Sequence, residues 1–410
     1  MMPSNLERRP GILLIDDDPF ALKLLERQLA NLGFGGMMAF ERAGEALQQL
    51  EREPQSADVV FCDLQMPQMD GVEFVRHLVR IGYAGALVLV SGEDTRVLDT
   101  VHRLAKGHAL NVLGVLGKPV SPARLDALMA SRQDRTVAAS RPARKEYGSQ
   151  ELAMAIACGE LVNFYQPKVE LGTGRLVGVE SLVRWRHPQD GLVYPDQFVA
   201  VAEESGLIDD LARAVLIRAV RESRRWRDAG LALQVAVNIS MENLASADFP
   251  DWVERAAVEA EHPLPNLMLE LTESRLLRDA LTPLESLSRL RLKHIGLSID
   301  DFGTGHSSLA QLRDIPFTEL KVDRSFVHGA GTDPSLRAIL EASLGMARQL
   351  GMSTVAEGVE DREDWDFLRA CPCDLAQGYF IARPMPAAQL FSWIEEWETR
   401  KGELVGTRTG

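Results

Sequence analysis

Short apolar runs separated by amphipathic stretches set the rhythm of residues 11–125. The runs lie at residues 11–15, 57–62, 86–90 and 112–116, each long enough for a strand buried on both faces. Between the first two, residues 20–32 space Leu22, Leu24, Leu25 and Leu29 at helical intervals. Alternating strands and helices predict a parallel sheet with helices on both faces. Residues 131–150 lose the apolar period and gain Arg, Ser and Ala, which predicts a solvated linker or an extended helical joint.

From residue 151 onward the pattern changes in one informative way. Seven short apolar runs each deliver a polar side chain at or near their end, usually before a helical stretch. In order these are Glu180, Asn238, Glu270, the pair Asp300 and Asp301, Lys321, Glu357 and Gln377. Repeated strand-then-helix units with functional groups at the strand ends predict a TIM-like (β/α)8 barrel, whose site gathers at that face. The expected organisation is a flavodoxin-like doubly wound sheet over residues 1–130, a joint over 131–150 and a barrel over 151–410. Both domains are α/β.

Each region brings together candidate chemistry. Asp16, Asp17 and Asp18 follow the first strand and Asp63 ends the run at 57–62, so an open parallel sheet would bring them to one crevice. Clustered carboxylates repel one another unless a hard cation such as Mg2+ joins them. Ser91 and Lys118 at the same rim could hold the oxygens of a phosphoryl group on Asp63. In the second region Glu180, Asn238, Glu270, Asp300 and Asp301 are all oxygen donors, a set suited to Mg2+ or Mn2+ rather than zinc. Two such ions would suit in-line hydrolysis of a phosphodiester, with Lys321 and Glu357 orienting and deprotonating water and Arg184 holding a phosphate. Gly303-Thr304-Gly305 reads as a loop built to move.

Charge narrows the partners. The chain has 410 residues and a formal net charge of −14. Residues 151–410 hold 27 basic against 40 acidic groups, an excess that disfavours binding a phosphate backbone by charge alone. Divalent ions would invert that sign locally and admit a small anionic substrate. No run of 18 apolar residues predicts a membrane span, and the short apolar stretch before Asp16 is no signal-peptide core, so a cytoplasmic setting is expected. Cys62, Cys158, Cys371 and Cys373 are too few and scattered for a disulfide framework.

The motifs LLIDDDP, FCDLQMPQMDG, VLVSG and GKP make residues 11–125 resemble the receiver domain of bacterial response regulators. The resemblance implies Asp63 as phosphoacceptor, Asp16 and Asp17 as holders of one Mg2+, Ser91 as switch hydroxyl and Lys118 as phosphate-binding lysine. Its partner would be a sensor histidine kinase or phosphotransfer protein. Val115 stands where that family usually carries an aromatic switch residue. Residues from about 150 to 400 resemble the EAL-domain cyclic di-GMP phosphodiesterases through YQP, VGVESLVRW, VNIS, LELTES, IDDFGTGHSS, LKVDRSF, VAEGVE and AQGYFIARPMP. That resemblance implies two Mg2+ or Mn2+ ions on Glu180, Asn238, Glu270, Asp300 and Asp301, and assigns water positioning and activation to Lys321 and Glu357. It also implies substrate contacts from Gln166, Leu182, Arg184 and Gln377, anchoring of the 300–308 loop by Glu273, and homo-oligomers of dimer size or larger through EAL surfaces. Ser181 replaces the family's Ala in the signature triplet, and His306 replaces a more usual aromatic. The activity implied is hydrolysis of cyclic di-GMP to linear pGpG under control of Asp63. The alternative is a non-catalytic cyclic di-GMP sensor or protein-interaction module.

Overall fold

Successive side chains of a strand point to opposite faces, and the first strand buries both. In the computed structural model, which describes residues 11–53, 56–92, 101, 105, 110–138, 145, 147–272, 281–304 and 309–406, the chain divides into two units, Met1–Ala143 and Arg144–Gly410.

The N-terminal unit carries five strands: β1 (Ile12–Ile15), β2 (Met37–Phe40), β3 (Val59–Asp63), β4 (Ala86–Ser91) and β5 (Asn111–Gly117). They form one parallel sheet in the order β2-β1-β3-β4-β5. Leu13 and Ile15 pack into a core with the helices Ala43–Arg52 and Gly71–Arg80. Ile12 and Leu14 face the other side and meet Leu22, Leu25 and Leu29 of the helix Pro19–Asn31 and Leu125 of the helix Pro122–Ala138. This is the doubly wound arrangement expected, with β2 added to the four runs visible in the sequence. All five strands run the same way, so Asp63, Ser91 and the residues just after β1 and β5 share one edge. Helix Pro122–Ala138 carries regular structure into the first part of the predicted joint.

The C-terminal unit closes a ring of eight strands. They are β6 (Leu161–Glu170), β7 (Leu176–His187), β9 (Gln234–Asn238), β10 (Leu267–Thr272), β11 (Gly296–Phe302), β12 (Glu319–Val322), β13 (Ser353–Ala356) and β14 (Leu375–Ala376). Short strands β8 (Gly191–Val193) and β15 (Met385–Pro386) pair on the outside with β7 and β6. Seven ring strands are the runs that deliver polar ends. The eighth, β6, differs from a uniform (β/α)8 barrel: it forms a hairpin with β7 and lies antiparallel to both of its ring neighbours. One apolar core runs from Leu152 in the first helix to Trp397 and Leu404 in the last. Among the described residues, no helix is long and apolar enough to cross a membrane.

One irregularity matters for the site. Along β11 and β12 the register passes from Ile299 opposite Leu320 to Phe302 opposite Val322. Asp300 and Asp301 therefore both stand against Lys321, and Asp301 adopts the left-handed conformation with φ 55°. In a regular strand these neighbours would face opposite sides. A bulge with one left-handed residue re-aims a side chain, so both carboxylates reach the same end of the barrel.

Candidate active site

Four ring strands turn carboxylates onto one ammonium. Lys321 Nζ lies 2.7 Å from Glu357 Oε1, 2.9 Å from Asp300 Oδ1, 3.1 Å from Glu270 Oε2 and 3.4 Å from Glu180 Oε2. An ammonium has three N–H bonds, so four acceptors exceed what it can satisfy. Asn238 donates its Nδ2 to Glu180 Oε1 at 2.9 Å, leaving its own carbonyl oxygen available. Gln377 Nε2 donates to Glu180 Oε2 at 2.6 Å and to Gln166 Oε1 at 3.1 Å, and Gln166 Nε2 donates to the Ala382 carbonyl. These contacts bring together eight of the predicted residues: Gln166, Glu180, Asn238, Glu270, Asp300, Lys321, Glu357 and Gln377.

The remaining predictions fall as follows. Asp301 joins through a cluster of ligand atoms with Asp300 and Glu357, all within 4.8 Å of one another. Leu182 lines a cleft of about 250 Å3 together with Gln166, Asp301, Glu357 and Gln377. Arg184 is set apart from the carboxylates: its guanidinium lies over the rings of Tyr194 and Phe164 at 4.9 and 5.7 Å and donates to the Val183 carbonyl. Ser181 is buried and accepts a 2.8 Å bond from Asn163, so its hydroxyl is absorbed by local structure. Glu273, His306 and residues 305–308 of the predicted loop lie outside the described residues, as do residues 139–144 of the predicted joint.

Electrostatics show what the site lacks. Glu180, Glu270, Asp300, Asp301, Glu357 and Glu319 face two buried ammonium groups, those of Lys168 and Lys321. The formal surplus is four negative charges. Burial, reinforced by Glu180, pushes Glu270 up to about 8 against the pull of the lysines. Burial and the neighbouring Asp300 raise Asp301 to about 6. Burial also holds Glu357 well above the ordinary carboxylate range. Glu180 resists its burial, because Lys321, Gln377 and Lys168 draw it down to about 2. Three carboxyls driven toward their neutral forms mark a site short of positive charge. The Oε1 of Gln377 is buried with no hydrogen-bond partner among the described residues, an acceptor suited to a donor or cation. Oxygen-only donors, surplus negative charge and an unmatched acceptor together fit divalent cations.

The N-terminal unit repeats the theme on a smaller scale. Lys118 Nζ lies 2.7 Å from Asp16 Oδ2 and 3.1 Å from Asp63 Oδ2, and Asp16, Asp17 and Asp63 form one cluster. Burial raises the Asp63 carboxyl although Lys118 opposes it. Asp18, the third of the Asp run, instead caps the helix Pro19–Asn31 by accepting from Phe20 N. Ser91 is buried at the end of β4, opposite Gly117. Val115 is half-buried against the core that holds helices Ala43–Arg52 and Gly71–Arg80. Cys62 is buried and Cys373 half-buried, and burial suppresses the ionisation of both thiols, which makes them packing groups.

The model of the EAL domain matches residues 149–384, and that of the response regulator receiver domain matches residues 12–130. The chain belongs to the EAL domain family. Its EAL domain follows a receiver domain, as the strand order and the Asp63–Lys118 pair suggested. The chain is 34% identical over 384 residues to the cyclic di-GMP phosphodiesterase RocR of Pseudomonas aeruginosa, covering 92% of this chain and 96% of RocR. It is 42% identical over 245 residues to the bifunctional diguanylate cyclase/cyclic di-GMP phosphodiesterase MucR of the same organism, covering 60% of this chain but 36% of MucR. Among solved structures, the MucR phosphodiesterase in complex with c-di-GMP superposes with a TM-score of 0.56 at 42% identity, covering 59% of this chain and 98% of that one. An EAL domain protein from Listeria monocytogenes gives 0.53 at 27% identity, covering 62% and 99%.

Several residues of the EAL domain site escape a reading based on strand ends, among them Asp323, Arg324, Glu360 and Tyr379 of the cleft and the buried pair Lys168 and Glu319. Asp323 lines the cleft beside Asp301 and raises its carboxyl; its signal was the Asp two places after Lys321 in LKVDRSF. Lys168 and Glu319 sit two residues from Gln166 and Lys321 on β6 and β12, where the period of a strand returns to the barrel interior.

Proposed function

We propose that this response regulator hydrolyses one phosphodiester of cyclic di-GMP, giving linear pGpG, with two Mg2+ or Mn2+ ions per EAL domain. The observation that carries the reading is the β11 bulge, which sets Asp300 and Asp301 side by side against Glu180, Glu270 and Glu357. Glu180, Asn238, Glu270, Asp300 and Asp301 would hold the ions, which when bound would supply Lewis-acid stabilisation of the attacking and leaving oxygens. Glu357 accepts the proton of the attacking water, and Lys321, 2.7 Å away, keeps that carboxylate oriented. Gln166, Leu182 and Gln377 line the cleft where the dinucleotide lies. Arg184, whose guanidinium lies over the rings of Tyr194 and Phe164, is assigned a contact to a phosphate of the substrate.

Control enters through Asp63, whose carboxylate takes a phosphoryl group from a histidine kinase or phosphotransfer protein. Asp16 and Asp17 hold one Mg2+, and Ser91 and Lys118 bind phosphoryl oxygens. The boundaries we adopt are residues 1–130, 131–150 and 151–410. The working form is a homo-oligomer through EAL surfaces, in the cytoplasm where such donors act.

Glu357→Gln tests the assignment. Turnover should fall by roughly 10²- to 10⁴-fold while cyclic di-GMP binding persists, as expected when a proton acceptor is removed. Wild-type binding without product in Mn2+ would instead identify a sensor.

A further inference from the structure

Beneath the carboxylates that meet at Lys321 lies a second charged layer. Lys168 is wholly buried, with its ammonium 3.1 Å from Glu270 Oε1 and 3.1 Å from Glu319 Oε1, and both carboxylates are buried too. The other oxygen of Glu270, Oε2, takes its bond from Lys321, the ammonium it shares with Glu180 and Asp300. Strand geometry explains the layering. β6 runs against the seven other ring strands, so Lys168 falls deeper than Gln166, and Glu319 lies deeper than Lys321 on β12.

We propose that Lys168, held by Glu319, is a positioning residue that ties down Oε1 of Glu270, keeps Oε2 turned toward Glu180 and Asp300, and thereby sets the affinity of the site for divalent cations. This rests on the metal-dependent reading above. Lys168 and Glu319 carry no net charge as a pair, so Glu319 offsets part of the field that Lys168 exerts on Glu270 and Glu180, and the bond to Oε1 adds a directional action. A glutamate has three side-chain torsions; one with both oxygens bonded to fixed ammonium groups has a single orientation. Partners that hold a ligating carboxylate from behind commonly change metal affinity by about 10- to 100-fold. Two other accounts predict different outcomes. If the pair served only the fold, apolar residues of similar volume would replace it without loss. If Lys168 acted by repelling cations, its removal would tighten their binding.

The test uses the full chain, with Mn2+ dissociation constants from calorimetry and melting temperatures in EDTA. Lys168→Met alone should melt several degrees lower, because it leaves Glu319 and Glu270 buried without their shared cation. The double variant Lys168→Met/Glu319→Met should recover most of that loss, yet bind Mn2+ about 10- to 100-fold more weakly than wild type. A double variant with recovered melting and wild-type or tighter Mn2+ binding overturns the proposal. Glu319→Gln keeps the shape and an acceptor for Lys168 and leaves the Lys168–Glu270 bond intact, so its Mn2+ affinity should stay within threefold of wild type. A tenfold loss there would show that pair charge, not Glu270 orientation, sets affinity. Absence of Mn2+ binding by wild type would remove the metal reading beneath the proposal rather than the role of Lys168.

Discussion

Lys321 stands in for missing charge. Its ammonium holds four carboxylates within 3.4 Å, and burial with the charge of Glu180 and Asp300 nearby still raises Glu270 to about 8 and Asp301 to about 6, so protons compete for the site. Cations entering the site must displace those protons. Glu180, drawn down to about 2, is ionised throughout the neutral range and contributes no proton. The sign follows: between pH 5 and 8 the metal-free site gives up protons as pH rises, so metal affinity climbs with it, by up to about tenfold per pH unit for each proton displaced. The rise in melting temperature caused by fixed Mn2+ should therefore be larger at pH 8 than at pH 5.5, and calorimetry in buffers of different ionisation enthalpy should detect proton release. A metal-induced shift independent of pH would contradict the assignment of these carboxylates. At this scale much was legible, because each ligand candidate follows an apolar run that could only be a strand. Lys168 and Glu319 were not read, because they lie inside their strands, two residues from Gln166 and Lys321, where attention to strand ends passes over them.

The bulge in β11 is the element on which the site depends. A left-handed Asp is tolerated better than most residues but still costs about 1 kcal/mol relative to Gly. Asp301→Gly should leave melting in EDTA unchanged or slightly higher while abolishing turnover; a clear loss of stability would mean that the carboxylate, not the backbone, supports the turn. The loop after β14 makes an opposite demand. A Cβ on Gly378 would come within 2.2 Å of the Val359 carbonyl oxygen and 2.3 Å of its nitrogen, contacts with backbone that cannot yield cheaply. Gly378→Ala should therefore destabilise the EAL domain by more than about 2 kcal/mol and displace neighbouring Gln377, measurable by urea unfolding and by turnover. Seven of the eight ring strands were readable as apolar runs with polar ends. β6 was not, because Asn163, Gln166 and Lys168 interrupt its apolar run, and β2 was not, because Met37–Phe40 is a four-residue run with no β-branched residue. The bulge itself leaves no trace beyond two adjacent aspartates.

Taken as a whole molecule, the chain places its acidic excess where cations can use it. The −14 net charge still argues against duplex binding, but part of it converges in one barrel mouth. Each unit has a core of its own, with Leu13 and Leu14 on the two faces of the receiver sheet and Leu152 through Leu404 in the EAL domain. A fragment of residues 144–410 should consequently fold, melt cooperatively and turn over substrate, while losing any response to a small-molecule phosphodonor that the full chain shows through Asp63. Equal responses of fragment and full chain, or of wild type and Asp63→Asn, would contradict control through the receiver. The central claim is tested most directly by product analysis of cyclic di-GMP incubated with the purified full chain and Mn2+, with and without phosphodonor. The account predicts linear pGpG, abolished by EDTA and by Asp300→Asn; folded, Mn2+-loaded protein that leaves cyclic di-GMP intact in both phosphorylation states would contradict it.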